Sequence, residues 1–350
     1  MLDNILSLYG IQPLLSEVQL FGDGLINSTW KITVGSKVYI LQKVNQSVFK
    51  NPEYIDQNIS KLQCFLKDSY PDYLFVSPLP ALSGNSLIHT DAGYFRLFPF
   101  IKSSHSLNVL TKKGEAYEAA KQFGKFSRLL NDFEVDQLQL TLPDFHNLDL
   151  RFNQFLEACA TAGTERKEKA KNSIFFLLDH KEIVRTYKKI VAHHEIPQRV
   201  IHHDTKINNV LFNPQNKGMC VIDLDTVMPG YFISDVGDMM RTYLSAANEE
   251  ETNLNKVNIR ITFFMAIYEG YMQEMGDVLS DKEKSLFIYA GKFIIYMQAM
   301  RFLTDYLEHD IYYGEKYEGH NLKRAQNQIR LLEKYIEAED QLEELIKASV

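Results

Sequence analysis

The stretch Arg199–Asp225, RVIHHDTKINNVLFNPQNKGMCVIDLD, constrains this chain more than any other. Two short β-type runs, Arg199–Ile201 and Met219–Ile222, each end on polar, acid-bearing residues. The first delivers His202, His203 and Asp204, with Lys206 two residues on and Asn209 five residues after the aspartate. The second delivers Asp223 and Asp225 around Leu224. A five-residue loop folds back far enough for an acid and an amide to face one point. A two-strand hairpin then returns a second carboxylate to that point. A chance H-x-D-x-x-x-x-N is common in long chains; one set between two β-type runs, with an aspartate ending the next strand, is much rarer.

This is the layout that phosphoryl transfer requires, in which one Asp takes the acceptor hydroxyl proton while the Asn and a second Asp hold Mg²⁺. Asp204 is therefore the expected base, and Asn209 and Asp223 are the expected metal ligands. A surface hairpin with solvated acids is the competing reading.

The chain has 350 residues, enough for one large or two ordinary domains with full cores. Its formal charge is 38 − 45 = −7, with no basic stripe, which argues against nucleic acid as a partner. Cys64, Cys159 and Cys220 are too far apart and odd in number for a disulfide framework or a zinc pattern. They read as reduced thiols. MLDNILSLYG lacks the basic start of a signal peptide, and Ile261–Ile267 and Phe293–Met300 are too short to span a membrane. A cytoplasmic protein, monomeric or weakly dimeric, with no membrane or nucleic-acid partner, is expected.

Upstream, residues 4–15 read as a short helix, followed by strands at Val18–Phe21, Trp30–Val34 and Val38–Val44, with Gly35-Ser36 as a hairpin turn. Gly22-Asp23-Gly24-Leu25-Ile26-Asn27 is a glycine-bearing loop whose backbone N–H groups can approach phosphate oxygens. Asn27 stands where a third glycine of a kinase loop would fall. Lys43 ends the third strand, on the face of Leu41 and Tyr39, and fits a phosphate-positioning lysine; a one-residue shift would give that place to Gln42. A helix over about 53–67 offers Glu53 or Asp56 as partners for Lys43. Strands at Leu87–His89 and Tyr94–Phe100 follow. The crossing segment, with Phe100 and Ile101, reads either as an adenine-binding hinge at about 98–104 or as a plain linker.

That hinge divides a smaller N-terminal α+β lobe, residues 1–101, from a larger, mainly helical lobe, residues 102–350. Helices are expected at 111–131, within 148–194, and at about 234–247, 253–275, 282–309 and 321–347. Asp235 and Asp238 fall in a first helical turn, where negative charge suits the dipole. Asp310–Asn321 is a tyrosine-rich loop preceded by Arg301 and Asp305, suited to a polyhydroxyl ligand or to aromatic packing.

These segments resemble the aminoglycoside phosphotransferase/choline kinase superfamily, and within it the N-acetylhexosamine 1-kinases. HHDTKINNVLF (202–212), VIDLDTVMPG (221–230) and DVGDMMR (235–241) carry the likeness. GDGLINSTW, YILQKVNQSVFKNPE, YFRLFPFI, LPDFHN and the C-terminal RFLTDYL, DIYYG and HNLKRAQNQ support it across residues 22 to about 327. The resemblance implies a bilobal, protein-kinase-like α+β fold with an antiparallel sheet in the small lobe, using ATP with Mg²⁺. It implies Asp204 as base, Asn209 and Asp223 as metal ligands, and Lys43 as phosphate lysine. Gly22, Gly24, Asn27 and Thr29 would line the phosphate loop, and Phe100 and Ile101 the adenine hinge. Sugar contacts would fall on Asp204, Arg301 and Tyr312.

Two features depart from protein kinases. Asp-Leu-Asp replaces Asp-Phe-Gly, and no long activation segment separates Asp223 from the next helix, so a small-molecule kinase is implied. The implied reaction phosphorylates the anomeric hydroxyl of an N-acetylhexosamine. A choline or ethanolamine, homoserine or aminoglycoside kinase is the nearest rival, and a catalytically silent nucleotide-binding scaffold the rival from another class.

Overall fold

The computed structural model describes residues 2–22 and 26–349. Its N-terminal part is a five-stranded antiparallel sheet in the order β1-β2-β3-β5-β4. The strands are β1 (Ser16–Leu20), β2 (Ser28–Val34), β3 (Lys37–Lys43), β4 (Leu87–Thr90) and β5 (Gly93–Pro99). Gly35 takes φ +57° in the β2–β3 turn, a conformation that only glycine adopts without strain. Alternation along the strands gives the sheet two unlike faces. On one, Ile32, Leu41, Phe95 and Leu97 are buried with Ile5 and Leu6 of α1 (Leu2–Leu8) in a small core. The other face carries Thr29, Gln42 and Arg96, brought side by side by the pairings Thr29↔Gln42 and Gln42↔Arg96.

Between β3 and β4, α2 (Pro52–Ser69) starts on a proline, whose missing N–H is no loss at the first turn. Its apolar stripe, Ile55, Ile59, Leu62 and Leu66, joins the large core of the C-terminal part rather than the sheet's small core. Buried Asn58 fastens it there, donating to the carbonyls of Gln139 and Val227 and accepting from the Gln139 N–H.

The C-terminal part is built on α3 (Lys113–Leu129), α4 (Leu148–Thr161), α5 (Thr164–Asp179), α6 (Glu182–Ala192) and α7 (Phe232–Tyr243). It is completed by α8 (Ile261–Met275), α9 (Asp281–Ser285), α10 (Phe287–Leu307), α11 (His320–Glu337) and α12 (Glu339–Ser349). Among the described residues no helix is long and apolar enough to cross a membrane. Helix α10 is the central post, buried for most of its length. Gly237 lets α7 approach it so closely that an added Cβ would sit 2.2 Å from the Ala290 carbonyl oxygen. Gly237→Ala is expected to destabilise the fold by about 1–3 kcal/mol, because neither backbone can yield without separating two packed helices. Urea denaturation measures this, and a loss below about 0.5 kcal/mol would show the contact to be soft.

Several element boundaries differ from those expected. Residues 4–15 fall in α1, which ends at Leu8 with Gly10 at φ +71° after it, and in a separate 3₁₀ turn at Pro13–Leu15. The helix expected over 253–275 starts only at Ile261, and the two long C-terminal helices each divide, at Leu286 and at Ala338. The central strands pair differently as well. β6 (Arg199–Ile201) pairs with β9 (Met228–Gly230), whereas β7 (Val210–Phe212) and β8 (Gly218–Val221) form the hairpin. β6 and β8 therefore belong to separate two-stranded sheets. The segment after β5 reaches this hairpin, with reciprocal backbone hydrogen bonds between His105 and Phe212 at 2.9 and 2.8 Å.

Candidate active site

The loop between β6 and β7 is held from beneath by α7. Asp235 accepts the His202 N–H at 3.0 Å and the His203 N–H at 2.7 Å. Asp238 accepts the Thr205 N–H at 2.9 Å, and the Tyr243 hydroxyl donates to the Thr205 carbonyl at 2.6 Å. Asp235 lies in the first turn of α7, where dipole capping is the simpler expectation, whereas the helix starts at Phe232 and leaves Asp238 beyond that turn. Instead they hold the loop, fixing the backbone amides of His202, His203 and Thr205. Burial pushes the Asp235 carboxyl up to about 7, although its two N–H donors favour the ionised form. This clamp keeps His203 at φ +66°, a backbone state rare outside glycine.

His202 is wholly buried against Phe123 and Phe126. Its Nε2 lies 3.0 Å from the Ile222 carbonyl and its Nδ1 3.4 Å from the Asp204 N–H. Burial lowers its pKa, so the neutral ring bridges β8 to the loop with Nε2 as donor and Nδ1 as acceptor. Burial likewise pushes the His203 ring down to about 4, and its Nδ1 meets the carbonyls of Ile201 and Thr226. A Cβ on Gly230 would stand 2.5 Å from His203 Nε2, so that glycine in β9 makes room for the ring.

Asp204 is half-buried, its side chain 23% accessible. Burial would raise its pKa, but the Lys206 ammonium 3.0 Å away and the Asn209 amide outweigh it, holding the carboxyl below its usual range. Asn209 donates its amide to both the carbonyl and Oδ2 of Asp204, at 2.9 and 3.1 Å. Its nitrogen being committed, its side-chain oxygen is the atom left to ligate a metal. The Ile222 N–H donates to the Asn209 carbonyl at 2.9 Å, which sets Asp223 beside the loop.

Asp223 takes φ +61°, a left-handed state that Asp tolerates better than most residues. Asp223 is open to solvent on one side, yet the protein crowded around it, with Asp225 and Asp204, pushes its carboxyl up to about 7. An acid raised by neighbouring acids marks a place where a cation would relieve repulsion. Among the described residues no three His, Cys, Asp or Glu side chains form a closed ion cage. Asp204, Asn209 and Asp223 lie beside one another, with Asp225 next to Asp223.

Asp225 is buried and turned to the sheet. It pairs with Arg96 at 2.5 Å and accepts from Asn27 Nδ2 at 2.7 Å. Asn27 also accepts the Asn45 N–H at 3.0 Å, so the β1–β2 loop, β3's end and the segment of Asp223 and Asp225 are tied together. Gly22 is exposed at φ +77° with open space around it, and Thr29 receives a long hydrogen bond from Gln42. Gly24 lies outside the described residues. Phe100 donates its N–H to the Val38 carbonyl and stacks edgewise on Phe21, while the Ile101 carbonyl accepts from Ser104.

Of the two neighbours Gln42 and Lys43, Lys43 lies on the apolar face of β3, its ammonium 5.9 Å from the Phe95 ring centre, and Gln42 is the one that meets Arg96. The strand's two-residue period decides this, because Lys43 follows Leu41, which belongs to the small core. The acids expected to pair with it are engaged elsewhere: Glu53 with the Tyr94 hydroxyl and Asp56 with the Ser86 hydroxyl.

On the far side of the catalytic loop, the rings of His203 and His146 lie 5.3 Å apart, and His146 stacks on Phe145 at 4.5 Å. Arg301 sits over three aromatic rings, 5.7, 5.7 and 5.6 Å from the centres of Phe145, Tyr312 and Tyr313. Tyr312 is 71% exposed, and its hydroxyl is 3.4 Å from Arg301 Nη2. The loop presenting both tyrosines is moulded on buried Asp305, which accepts their backbone N–H groups at 2.7 and 2.9 Å. Buried Asn321 completes it by donating to Asp305, Asp310 and the Gly314 carbonyl. His146 lies well below its usual pKa, chiefly through burial, with His203, Arg301, Arg241 and Arg151 adding to the effect.

An antiparallel sheet, a loop bearing an aspartate and an amide, and an aspartate ending the next hairpin are the arrangement of a kinase-like phosphotransferase. The sequence profile described as "Phosphotransferase enzyme family" matches residues 17–259, and the chain belongs to that family. Its fold is similar to that of a spectinomycin phosphotransferase solved with ADP and spectinomycin, at 17% identity and TM-score 0.59, covering 97% of each chain. It is also similar to an aminoglycoside phosphotransferase from Alicyclobacillus acidocaldarius, at 13% identity and TM-score 0.63, covering 98% of this chain and 95% of that one. A microcompartment-associated aminopropanol kinase matches at 15% identity and TM-score 0.60, covering 97% of each chain.

Proposed function

We propose that this phosphotransferase moves the γ-phosphoryl of ATP to the anomeric hydroxyl of an N-acetylhexosamine, giving the sugar 1-phosphate and ADP. In this reading nucleotide binds between residues 1–101 and 102–350, with the hinge at about 98–104. Asp204 accepts the proton of the 1-hydroxyl; that oxygen bonds to the γ-phosphorus as the bond to the β–γ bridging oxygen breaks, and ADP leaves. Asn209 Oδ1 and Asp223 fit Mg²⁺, which typically takes one or two carboxylates and completes its shell with phosphate oxygens and water. When bound it would neutralise phosphate charge. The protein's own work is placement: α7 fixes the loop, Asn209 orients Asp204, and Lys206 keeps it ionised.

The observation that carries the choice of acceptor is the cation over the aromatics. A choline site needs rings whose faces are free to meet a quaternary ammonium. Here the faces of Phe145, Tyr312 and Tyr313 meet Arg301. Arg151 is near enough to Arg301 that the two repel, and it donates to the Asp144 carbonyl and to Gln154 rather than to a carboxylate. Two neighbouring guanidiniums, Arg301 and Arg151, disfavour a cationic group over these rings, whereas guanidinium and tyrosine hydroxyls suit the hydroxyl and acetamido oxygens of a neutral sugar. An ADP-release assay over sugars, amines and aminoglycosides tests this, and product NMR locates the phosphate. Faster turnover of an amine than of N-acetylglucosamine or N-acetylgalactosamine would refute it. Arg301→Ala is expected to raise the sugar KM about tenfold, the worth of one charge-assisted hydrogen bond, with the KM for ATP unchanged.

A further inference from the structure

Arg96 lies in β5, three residues before its end, and is 2% exposed, yet it is the cation of the sheet that reaches the metal loop. Its Nε and Nη2 both donate to Gln42 Oε1, at 3.1 and 2.9 Å, and Nη2 also pairs with Asp225 at 2.5 Å. Among the described residues its Nη1 is buried without a hydrogen-bond partner. A guanidinium nitrogen shut away from water and left unpaired is costly, and such a group in a native fold calls for an explanation. Lys43, the strand-end lysine, lies on the opposite face. Lys31 is on Arg96's face but lies over the Phe100 ring at 5.2 Å, at the hinge end of the sheet.

We propose that Arg96 is the phosphate-positioning residue of this enzyme, contributed by β5 in place of a β3 lysine, with Nη1 as the donor kept for a nucleotide phosphate oxygen. Gln42 holds the guanidinium plane in place from the position a β3 lysine would occupy. Asp225 holds the charge at the metal loop, so a phosphate arriving there meets a donor already oriented. Arginine suits this role because its fork serves two acceptors at once while a third nitrogen remains available. The assignment rests on the reading of the chain as an ATP-dependent kinase.

The test is calorimetric titration of MgATP and, separately, adenosine into wild type, Arg96→Gln, Arg96→Lys and Lys43→Met. Arg96→Gln is expected to weaken ATP roughly ten- to a hundredfold while adenosine changes less than about twofold. Arg96→Lys, which keeps the charge but loses the fork, is expected to weaken ATP by about three- to tenfold, and it decides the matter if Arg96→Gln does not fold. Lys43→Met is expected to retain ATP affinity. Equal weakening of ATP and adenosine would reduce Arg96 to a structural latch and overturn the proposal. Unchanged ATP affinity in the Arg96 variants, or loss of it in Lys43→Met, would overturn it too. Wild-type protein that binds no ATP would instead refute the kinase reading on which the assignment stands.

Discussion

Asp204→Asn is expected to lower kcat by about 10²–10⁴ while ATP still binds within about twofold of wild type. The substitution preserves shape, and the Asn209 amide retains the Asp204 carbonyl and one side-chain oxygen as acceptors. What disappears is a carboxylate held ionised by Lys206 and Asn209 against its own burial. An amide cannot receive the acceptor's proton, so loss should fall on the chemical step and not on nucleotide capture. Rapid-quench measurement of the first turnover separates the two. Full single-turnover rate in Asp204→Asn would show that the acceptor proton leaves by another route. Because KM for the sugar also reflects hydrogen bonding to Asp204, a parallel rise there is compatible with the assignment; a change in KM alone is not.

Much of this arrangement is legible in the sequence because catalytic spacing is local. Asp204, Lys206 and Asn209 belong to one loop, and a five-residue separation fixes what they can share. The five antiparallel strands are also readable, since alternating apolar residues and the Gly35-Ser36 turn act within a few positions. Structure and expectation part where a decision is long-range. β6 finds β9 because the chain makes a second short ribbon from Met228-Pro229-Gly230, and proline with glycine gives almost no strand signal. Lys43 and Gln42 are adjacent, and only the docking of α1 on the Leu41 face decides which of them meets the metal loop. Arg96 is hidden for the same reason: an arginine between two apolar residues of β5 reads as an exposed strand position until Asp225 is brought against it. Nothing local to Asp305 or Asn321 says that these two residues build the tyrosine loop from within.

Asp235 couples stability to chemistry most directly, and Asp235→Ala is expected to cost both. The substitution strands two buried N–H groups, those of His202 and His203, each worth about 1–3 kcal/mol when left unpaired, so a total loss of about 2–5 kcal/mol is expected. The same two bonds hold His203 at positive φ, directly before Asp204. Released from them, the backbone relaxes toward ordinary φ and carries the base with it, and a displacement of about 1 Å lowers kcat on the order of a hundredfold. Asp235→Asn keeps one oxygen acceptor and the side-chain shape, so it should lose less of each. Denaturation and kinetics on both variants test the coupling. A folded Asp235→Ala with wild-type kcat would mean that Asp238, Tyr243 and Thr226, which hold the same loop through Thr205 and the His202 carbonyl, position Asp204 without it. The clamp would then belong to stability alone. A kcat loss in Asp235→Ala that exceeds the loss in Asp235→Asn, at a temperature where both are folded, establishes that α7 sets the geometry of the catalytic loop.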